Sequence, residues 1–112
     1  METKKIIEAL AALAQETRLS IFRLLVQAGE EGIAAGSLAE TLSAPAPTLS
    51  FHLQQLRHAG LINSTRKGTQ IIYSASYPTM NDLILYLTES CCQGKACGED
   101  KICSPLMERK SA

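Results

Sequence analysis

The feature that most constrains the fold is a short helix with a proline-containing turn before it and a glycine after it. Residues 43–47 predict the turn, and Pro47 is tolerated in the first turn of the next helix, where no backbone donor is required. The helix extends to about Ala59, and Gly60 suits its C-terminal stop. Its buried stripe is predicted from leucines at helical spacing, namely Leu49, Leu53 and Leu56.

A hairpin follows this helix directly. Two strand-like runs lie at 61–65 and 70–75, and residues 66–69 between them predict the hairpin tip. A short helix with Ser37 as its predicted N-cap precedes the turn. Two short helices joined by a tight turn and followed by a basic hairpin are typical of a winged helix-turn-helix. The predicted fold class is therefore mainly α with a β-hairpin wing.

Apolar periodicity predicts three further helices around this unit. The first covers residues 4–13, and the second contains apolar side chains from Leu19 to Val26 over much of its girth. Such a helix is expected at the centre of the core. Pro78 introduces the last helix, at about 79–90.

The chain length of 112 residues fits one domain with one modest hydrophobic core. We predict a winged-helix domain at 1–90 and a cysteine-rich tail at 91–112. No signal peptide is visible and no apolar run approaches transmembrane length, so we expect a cytoplasmic protein with no membrane contact.

The face of the predicted recognition helix opposite its leucines carries side chains suited to DNA. Thr48 and Ser50 can donate hydrogen bonds to phosphates, and Gln54 or Gln55 can form a bidentate pair with adenine. Phe51 is expected to be exposed, where it can cover a thymine methyl group. An ordinary solvated face of a helical protein-interaction domain is the alternative.

The predicted wing has a locally basic character although the formal net charge is zero. No acidic residue occurs between Glu40 and Asp82, and Arg66 and Lys67 near the hairpin tip would make salt-dependent phosphate contacts. His52 lies close to the buried stripe, so a hydrogen-bonded packing role is favoured over metal ligation.

The chain has four cysteines, and all of them fall within a short segment near the C-terminus: Cys91, Cys92, Cys97 and Cys103. Little core can form among the glycines and charges of this segment, so the thiols indicate chemistry. Thiolates are soft ligands that select soft metals and metalloids. In a reducing compartment, such clusters are more often metal sites than disulfide frameworks.

Three segments resemble the ArsR–SmtB family of repressors. Residues 13–25 are similar to its second helix, 48–62 to its recognition helix and exit, and 66–73 to its wing. The resemblance covers roughly residues 5–90. It implies a homodimer paired through the first and last helices, which binds double-stranded operator DNA. Such repressors leave DNA when a metal, metalloid or oxidant reaches a sensing site.

Two departures from the family pattern bear on DNA reading. Many members carry Ser-Gln at the start of the recognition helix, where this chain has Pro45 and Ala46. Neither side chain can hydrogen-bond to a base, so the family's operator preference does not transfer. The wing also has Thr69 and Gln70 where an arginine often follows the glycine.

The position of the thiols decides the sensing class that the resemblance implies. Residues 34–36 lack the cysteine pair that one type of arsenic sensor carries, and the last helix has Asp82 but no histidine for a zinc site. The chain instead resembles arsenic-responsive members with a vicinal cysteine pair, here Cys91 and Cys92, and a later third cysteine. Cys97 is the expected third ligand and Cys103 its alternative, because trivalent arsenic and antimony take three thiolates in a pyramid.

We therefore expect a repressor without a required cofactor that is released by arsenite or antimonite. A thiol-redox regulator that forms a disulfide between Cys97 and Cys103, or across a dimer, is the alternative. A zinc or cadmium site of four thiolates is less favoured because a directly adjacent pair suits tetrahedral geometry poorly. An enzyme is not expected, since no glycine-rich anion-binding loop precedes any cysteine.

Overall fold

The structure is a computed structural model, and it describes residues 2–94. These residues form five α-helices, three β-strands and a closing 3₁₀ turn. In chain order the elements are α1 (Thr3–Leu13), α2 (Glu16–Ala28), β1 (Ile33–Ala34), α3 (Ala35–Leu42), α4 (Ala46–His58), β2 (Ile62–Lys67), β3 (Gln70–Ala75), α5 (Tyr77–Thr88) and the 3₁₀ turn Cys91–Gly94. The predicted fold class, a mainly helical winged helix-turn-helix with a hairpin, is confirmed.

The core lies where α2, α3, α4 and the hairpin meet. Its fully buried large side chains are Ile21, Leu25, Leu38, Leu56 and Leu61. Each such burial contributes about 1.5–3 kcal/mol relative to exposure. Helix α2 is central as predicted, but Leu19 at its start is 44% exposed, so the apolar stripe does not extend along the whole helix.

Glycine fixes the end of α4 and the start of the hairpin. Gly60 has φ of +80°, and its N–H donates to the Arg57 carbonyl at 2.9 Å. The next N–H, that of Leu61, donates to the Leu56 carbonyl at 3.0 Å. These two bonds form a Schellman motif, which stops the helix and redirects the chain into β2.

The sheet has three antiparallel strands in the order β1-β3-β2. The sequence did not predict β1, which has two residues and pairs Ile33 with Tyr73. Gly32 allows this pairing, because a Cβ atom there would clash with the Tyr73 carbonyl oxygen. The wing turn is also tighter than predicted: Lys67 pairs with Gln70, so Arg66 and Lys67 belong to β2.

Two predicted helix limits need correction. Ser37 is not the N-cap of α3, because the helix begins at Ala35 with Ala34 at the cap and no side-chain cap bond. Helix α5 begins two residues before the predicted Thr79 and ends two residues before Ser90. Pro78 lies inside its first turn rather than before it, which costs nothing because those N–H groups have no helical acceptor.

Within residues 2–94, none of the helices is long and apolar enough to cross a membrane.

Candidate nucleic-acid interface and thiol pair

Helix α4 presents a buried face and an exposed face, as the leucine spacing predicts. Leu49, Leu53 and Leu56 are buried. The candidate DNA-reading side chains are all exposed: Thr48, Ser50, Phe51, Gln54 and Gln55. The helix is therefore packed firmly on one side while its candidate contacts remain accessible.

Phe51 is the most informative member of this face. Its ring is 54% exposed in the middle of α4, although burial of a phenylalanine is strongly favourable. An exposed aromatic ring among polar side chains is suited to contact with a partner surface.

His52 lies beside Phe51 but belongs to a different environment. It is half-buried, its ring meets that of Phe51 edge-on at a centroid distance of 5.5 Å, and its Nδ1 lies 3.3 Å from Nη1 of Arg18. Burial lowers the pKa of His52 below 6.5, and the nearby Arg18 charge lowers it further. The predicted hydrogen-bonded packing role is confirmed.

The wing brings its two cations close to the turn of the hairpin. Arg66 lies opposite Ile71 and Lys67 lies opposite Gln70, and both basic side chains are exposed. Successive strand residues point to opposite faces, so the two cations project from different sides of the hairpin. The base of the hairpin is closed by a 2.8 Å bond from the Ser76 N–H to the Leu61 carbonyl.

A shallow cavity lies between the start of α3 and the wing. It is lined by Ala34, Ala35, Gly36, Ser37, Glu40, Thr69, Gln70 and Ile71. It includes the positions at which one type of arsenic sensor carries a cysteine pair, and its lining contains no thiol.

The thiols of Cys91 and Cys92 lie three residues beyond the end of α5. Cys91 is half-buried and Cys92 is exposed, and their Sγ atoms are 3.6 Å apart. A disulfide bond measures about 2.05 Å, so these two sulfurs lie within hydrogen-bond distance but are not joined by a disulfide. Cys92 has φ of +56°, in the left-handed region.

The rest of the predicted thiol site is not placed. Within residues 2–94 there is no group of three or more histidine, cysteine or acidic side chains that could hold a metal ion. Cys97 and Cys103 lie outside the described residues, so the third thiolate stays a prediction.

A hydrogen bond joins the first and last helices. Thr3 Oγ1 and the Tyr86 hydroxyl share a hydrogen bond of 2.8 Å, which joins the start of α1 to the last turn of α5. Three large apolar side chains on these helices are exposed: Ile7 at 60%, Leu10 at 41% and Leu87 at 58%. The α1 and α5 helices thus carry an apolar surface that the single chain leaves uncovered.

Comparison with known proteins places the chain among transcriptional regulators. A helix-turn-helix domain family model matches residues 13–65. The regulator YgaV of Escherichia coli is 34% identical over 74% of this chain and 82% of its own length. The activator HlyU of Vibrio cholerae is 30% identical over 80% of each protein. The regulator KmtR of Mycobacterium tuberculosis is 31% identical over 71% of this chain, which spans only 59% of KmtR.

Solved structures agree with this placement. Vibrio cholerae HlyU superposes with a TM-score of 0.65 at 30% identity, covering 82% of this chain and 99% of that one, and another form of HlyU is described as reduced. An ArsR-like regulator from a Rhodococcus species gives 0.69 at 29% identity, covering 80% and 82% of the two chains. A homodimeric winged helix-turn-helix domain from Mycobacterium bovis, covering 82% and 85%, gives 0.62 at 24% identity, which shows likeness of fold alone.

Proposed function

The chain belongs to the ArsR family of winged helix-turn-helix transcriptional regulators, and from this membership we propose that it is a dimeric repressor released from its operator by trivalent arsenic or antimony. Its relatives are DNA-binding regulators, and it is not an enzyme. The inducer, the direction of regulation and the contacting residues are the proposed parts. HlyU, a relative, is an activator, so family membership alone leaves the direction open.

In the proposed complex, α4 enters the major groove and the wing contacts the backbone. The exposure of Phe51, Gln54 and Gln55 above a buried leucine stripe supports this assignment, because a rigid helix can then present several side chains together. Arg66 and Lys67 would contribute phosphate contacts without reading sequence.

The proposed dimer forms through α1 and α5. Its support is the exposure of Ile7, Leu10 and Leu87 on those two helices. Covering exposed apolar side chains with a second copy of the chain is favourable, because it removes their surface from water. A symmetric interface of this kind would set the separation of the two recognition helices, which the half-site spacing of the operator must match.

The proposed inducer site contains Cys91, Cys92 and Cys97, with Cys103 as the alternative third ligand. The single observation that carries it is the 3.6 Å separation of the first two sulfur atoms, since both can then approach one soft ion together. Cys91 lies three residues beyond the end of α5, so a ligand bound there acts close in the chain to a proposed dimer helix. No resident cofactor is required, and arsenite or antimonite acts as the inducer ligand.

Linkage sets the size of the effect that the site must produce. If arsenite weakens DNA binding about a hundredfold, the two binding events must be coupled by about 2.7 kcal/mol. By the same linkage, DNA-bound protein must bind arsenite about a hundredfold more weakly than unbound protein does.

The decisive experiment is arsenic-edge X-ray absorption. Reduced full-length protein loaded with one equivalent of arsenite is expected to give three sulfur neighbours. One of the variants Cys97→Ser and Cys103→Ser should reduce that number and thereby name the third ligand. Arsenic without a sulfur shell would contradict the metalloid proposal.

Redox regulation through a disulfide between Cys97 and Cys103, or across the dimer, is a second candidate, favoured by the existence of a relative, HlyU, solved in a reduced form. In this case an oxidant such as hydrogen peroxide should release DNA, and dithiothreitol should restore binding. Arsenite without oxidant should then have no effect, which separates this candidate from the first.

A further inference from the structure

Arg18 in the first turn of α2 joins three helices. Its Nε donates a 2.7 Å hydrogen bond to the Ala12 carbonyl in the last turn of α1. Its Nη1 lies 3.3 Å from Nδ1 of His52 on α4. Its backbone N–H donates at 2.8 Å to the Gln15 side chain, which caps α2. One side chain therefore connects the first helix to the recognition helix.

The bond to α1 satisfies a requirement of the helix end. The last four carbonyl groups of a helix lack intrahelical partners, and a cation there complements the helix dipole. The last turn of α1 contains no basic residue, so Arg18 supplies both the donor and the charge from the neighbouring helix.

The hydrogen bond between Arg18 and His52 on α4 defines the protonation state of the His52 ring. A guanidinium can only donate hydrogen bonds, so Nδ1 of His52 must accept, and the ring must be neutral with its proton on Nε2. The His52 ring in turn contacts the exposed Phe51 ring. The His52 ring thus lies between the Arg18 guanidinium and Phe51, which belongs to the face that we propose reads DNA.

We propose that Arg18 is a positioning residue for operator recognition, which holds α4 in its DNA-reading orientation relative to α1 through its paired bonds to Ala12 and His52. This inference rests on the proposed function. Apolar packing of the α4 leucines is non-directional. The planar Arg18 guanidinium has donors in a fixed geometry, so its two bonds restrict rotation of the helix about its axis. Because α1 is a proposed dimer helix, the same link sets the recognition helix relative to the dimer.

Four single variants of the 112-residue chain, and the double variant that combines Arg18→Lys with His52→Leu, test this role. Arg18→Lys keeps the positive charge but loses the planar fork that reaches two acceptors at once. His52→Leu removes the acceptor, whereas His52→Asn retains an acceptor oxygen one bond beyond Cγ, where Nδ1 is in histidine. Arg23→Lys is the matched control, since Arg23 is an exposed arginine on the same helix.

The probes are a duplex that the wild-type protein selects from a random library and a random-sequence duplex of the same length. We expect Arg18→Lys and His52→Leu each to weaken binding to the selected duplex about tenfold, and the double variant to be no weaker than either single one. Binding to the random duplex and the salt slope should not change, because these variants leave the phosphate-binding side chains in place. His52→Asn should recover affinity to within about twofold of wild type, and Arg23→Lys should match wild type.

Each alternative outcome contradicts a different claim. Equal losses on the selected and random duplexes, or losses that add fully in the double variant, would overturn the positioning role. Nitrogen-15 NMR of His52 gives a test that needs no variant, because a proton on Nδ1 would rule out the bond. A wild-type protein that selects no sequence would overturn the proposed function and this inference with it, whereas selection without the expected Arg18 effect overturns this inference alone.

Discussion

The recognition helix and the thiol pair differ in what holds each of them in place. Helix α4 is fixed by three buried leucines, by the Schellman motif at its end and by the Arg18 bond to His52. None of residues 89–93 is fully buried, and the turn that contains Cys91 and Cys92 is defined by backbone conformation, with left-handed φ at Cys92 and Gln93. Helix α4 with the buried side chains and the Arg18 bond that hold it is a packed platform. Residues 89–93, the thiol segment, lie at the surface.

This difference has a functional consequence. DNA reading needs several side chains at fixed relative positions, so the helix that carries them must be rigid before DNA arrives. A soft ion can draw its sulfur ligands together on binding. The inducer therefore fixes the relative positions of the thiols, which packing against the core does not fix. We expect mutations in the platform to change stability and mutations in the thiol segment to change regulation alone.

Leu56→Ala should have the largest effect and tests the platform directly. Leu56 is fully buried, and its truncation leaves a cavity at the centre of the core. We expect a loss of about 2–5 kcal/mol in the free energy of unfolding, a large part of the total of about 5–15 kcal/mol for a domain. Urea denaturation measures it. The adjacent exposed residue supplies the control, since Gln55→Ala should change stability by less than about 0.5 kcal/mol.

Cys92→Ser should separate regulation from stability. The side chain is exposed, so we expect the free energy of unfolding to change by less than about 0.5 kcal/mol. The coupling of about 2.7 kcal/mol between arsenite and DNA should disappear. Fluorescence anisotropy of a labelled operator duplex, titrated with arsenite, measures it. If the variant binds DNA more weakly before arsenite is added, the thiol belongs to the platform and the comparison fails.

The sequence predicted helix α4 better than it predicted the contacts between elements that are distant in the chain. The leucine spacing, Pro47 and Gly60 are local signals, and together they predicted α4 nearly to the residue. Strand β1 was missed because two residues become a strand only by pairing with Tyr73 and Ile72, some 40 positions away. The bond between Arg18 and His52 joins residues 34 apart in the chain, and no local pattern reveals it.

The errors at Ser37 and at the wing turn have a common cause. A favourable cap residue predicts where a helix can begin, but here pairing of Ala34 with β3 fixes the chain and α3 starts directly after it. Similarly, hairpin pairing continued to Lys67, which shortened the predicted tip. In both places a sheet contact overrode a local preference. The predicted thiol site depends on Cys97 and Cys103, which lie outside residues 2–94, so it stays a prediction.

Substitution of the wing cations should have a smaller effect that depends on salt. If Arg66 or Lys67 binds one phosphate, its replacement by alanine should reduce the slope of log affinity against log salt by about 1. Discrimination between selected and random duplexes should not change, since phosphate contacts carry no sequence information. Anisotropy titrations at several salt concentrations measure both quantities. Arg23→Ala removes the same charge outside α4 and the hairpin, so an equal change in slope there would show that the effect is not local to the wing.

The smallest expected effect is the response of platform stability to pH through His52. Burial first, and the Arg18 charge second, lower the pKa of this imidazole below 6.5 in the folded protein. The unfolded chain therefore binds a proton more readily than the folded one, so the stabilisation is fully present above pH 6.5 and is lost as pH falls through the lower folded value. Unfolding by urea at about pH 7.5 and about pH 5.5 measures the loss, which His52→Asn should reduce.

His58→Asn is the control for this last experiment, because it removes the other histidine and leaves the Arg18 contact intact. If its pH response matches that of wild type while the response of His52→Asn is flatter, the proton acts at the junction of α1, α2 and α4. Since that junction belongs to the platform, the Cys92→Ser variant should lose stability with falling pH as wild type does. A flatter response in Cys92→Ser would mean that the thiol segment contributes to the packing of the platform, and the two regions would then have to be treated as one.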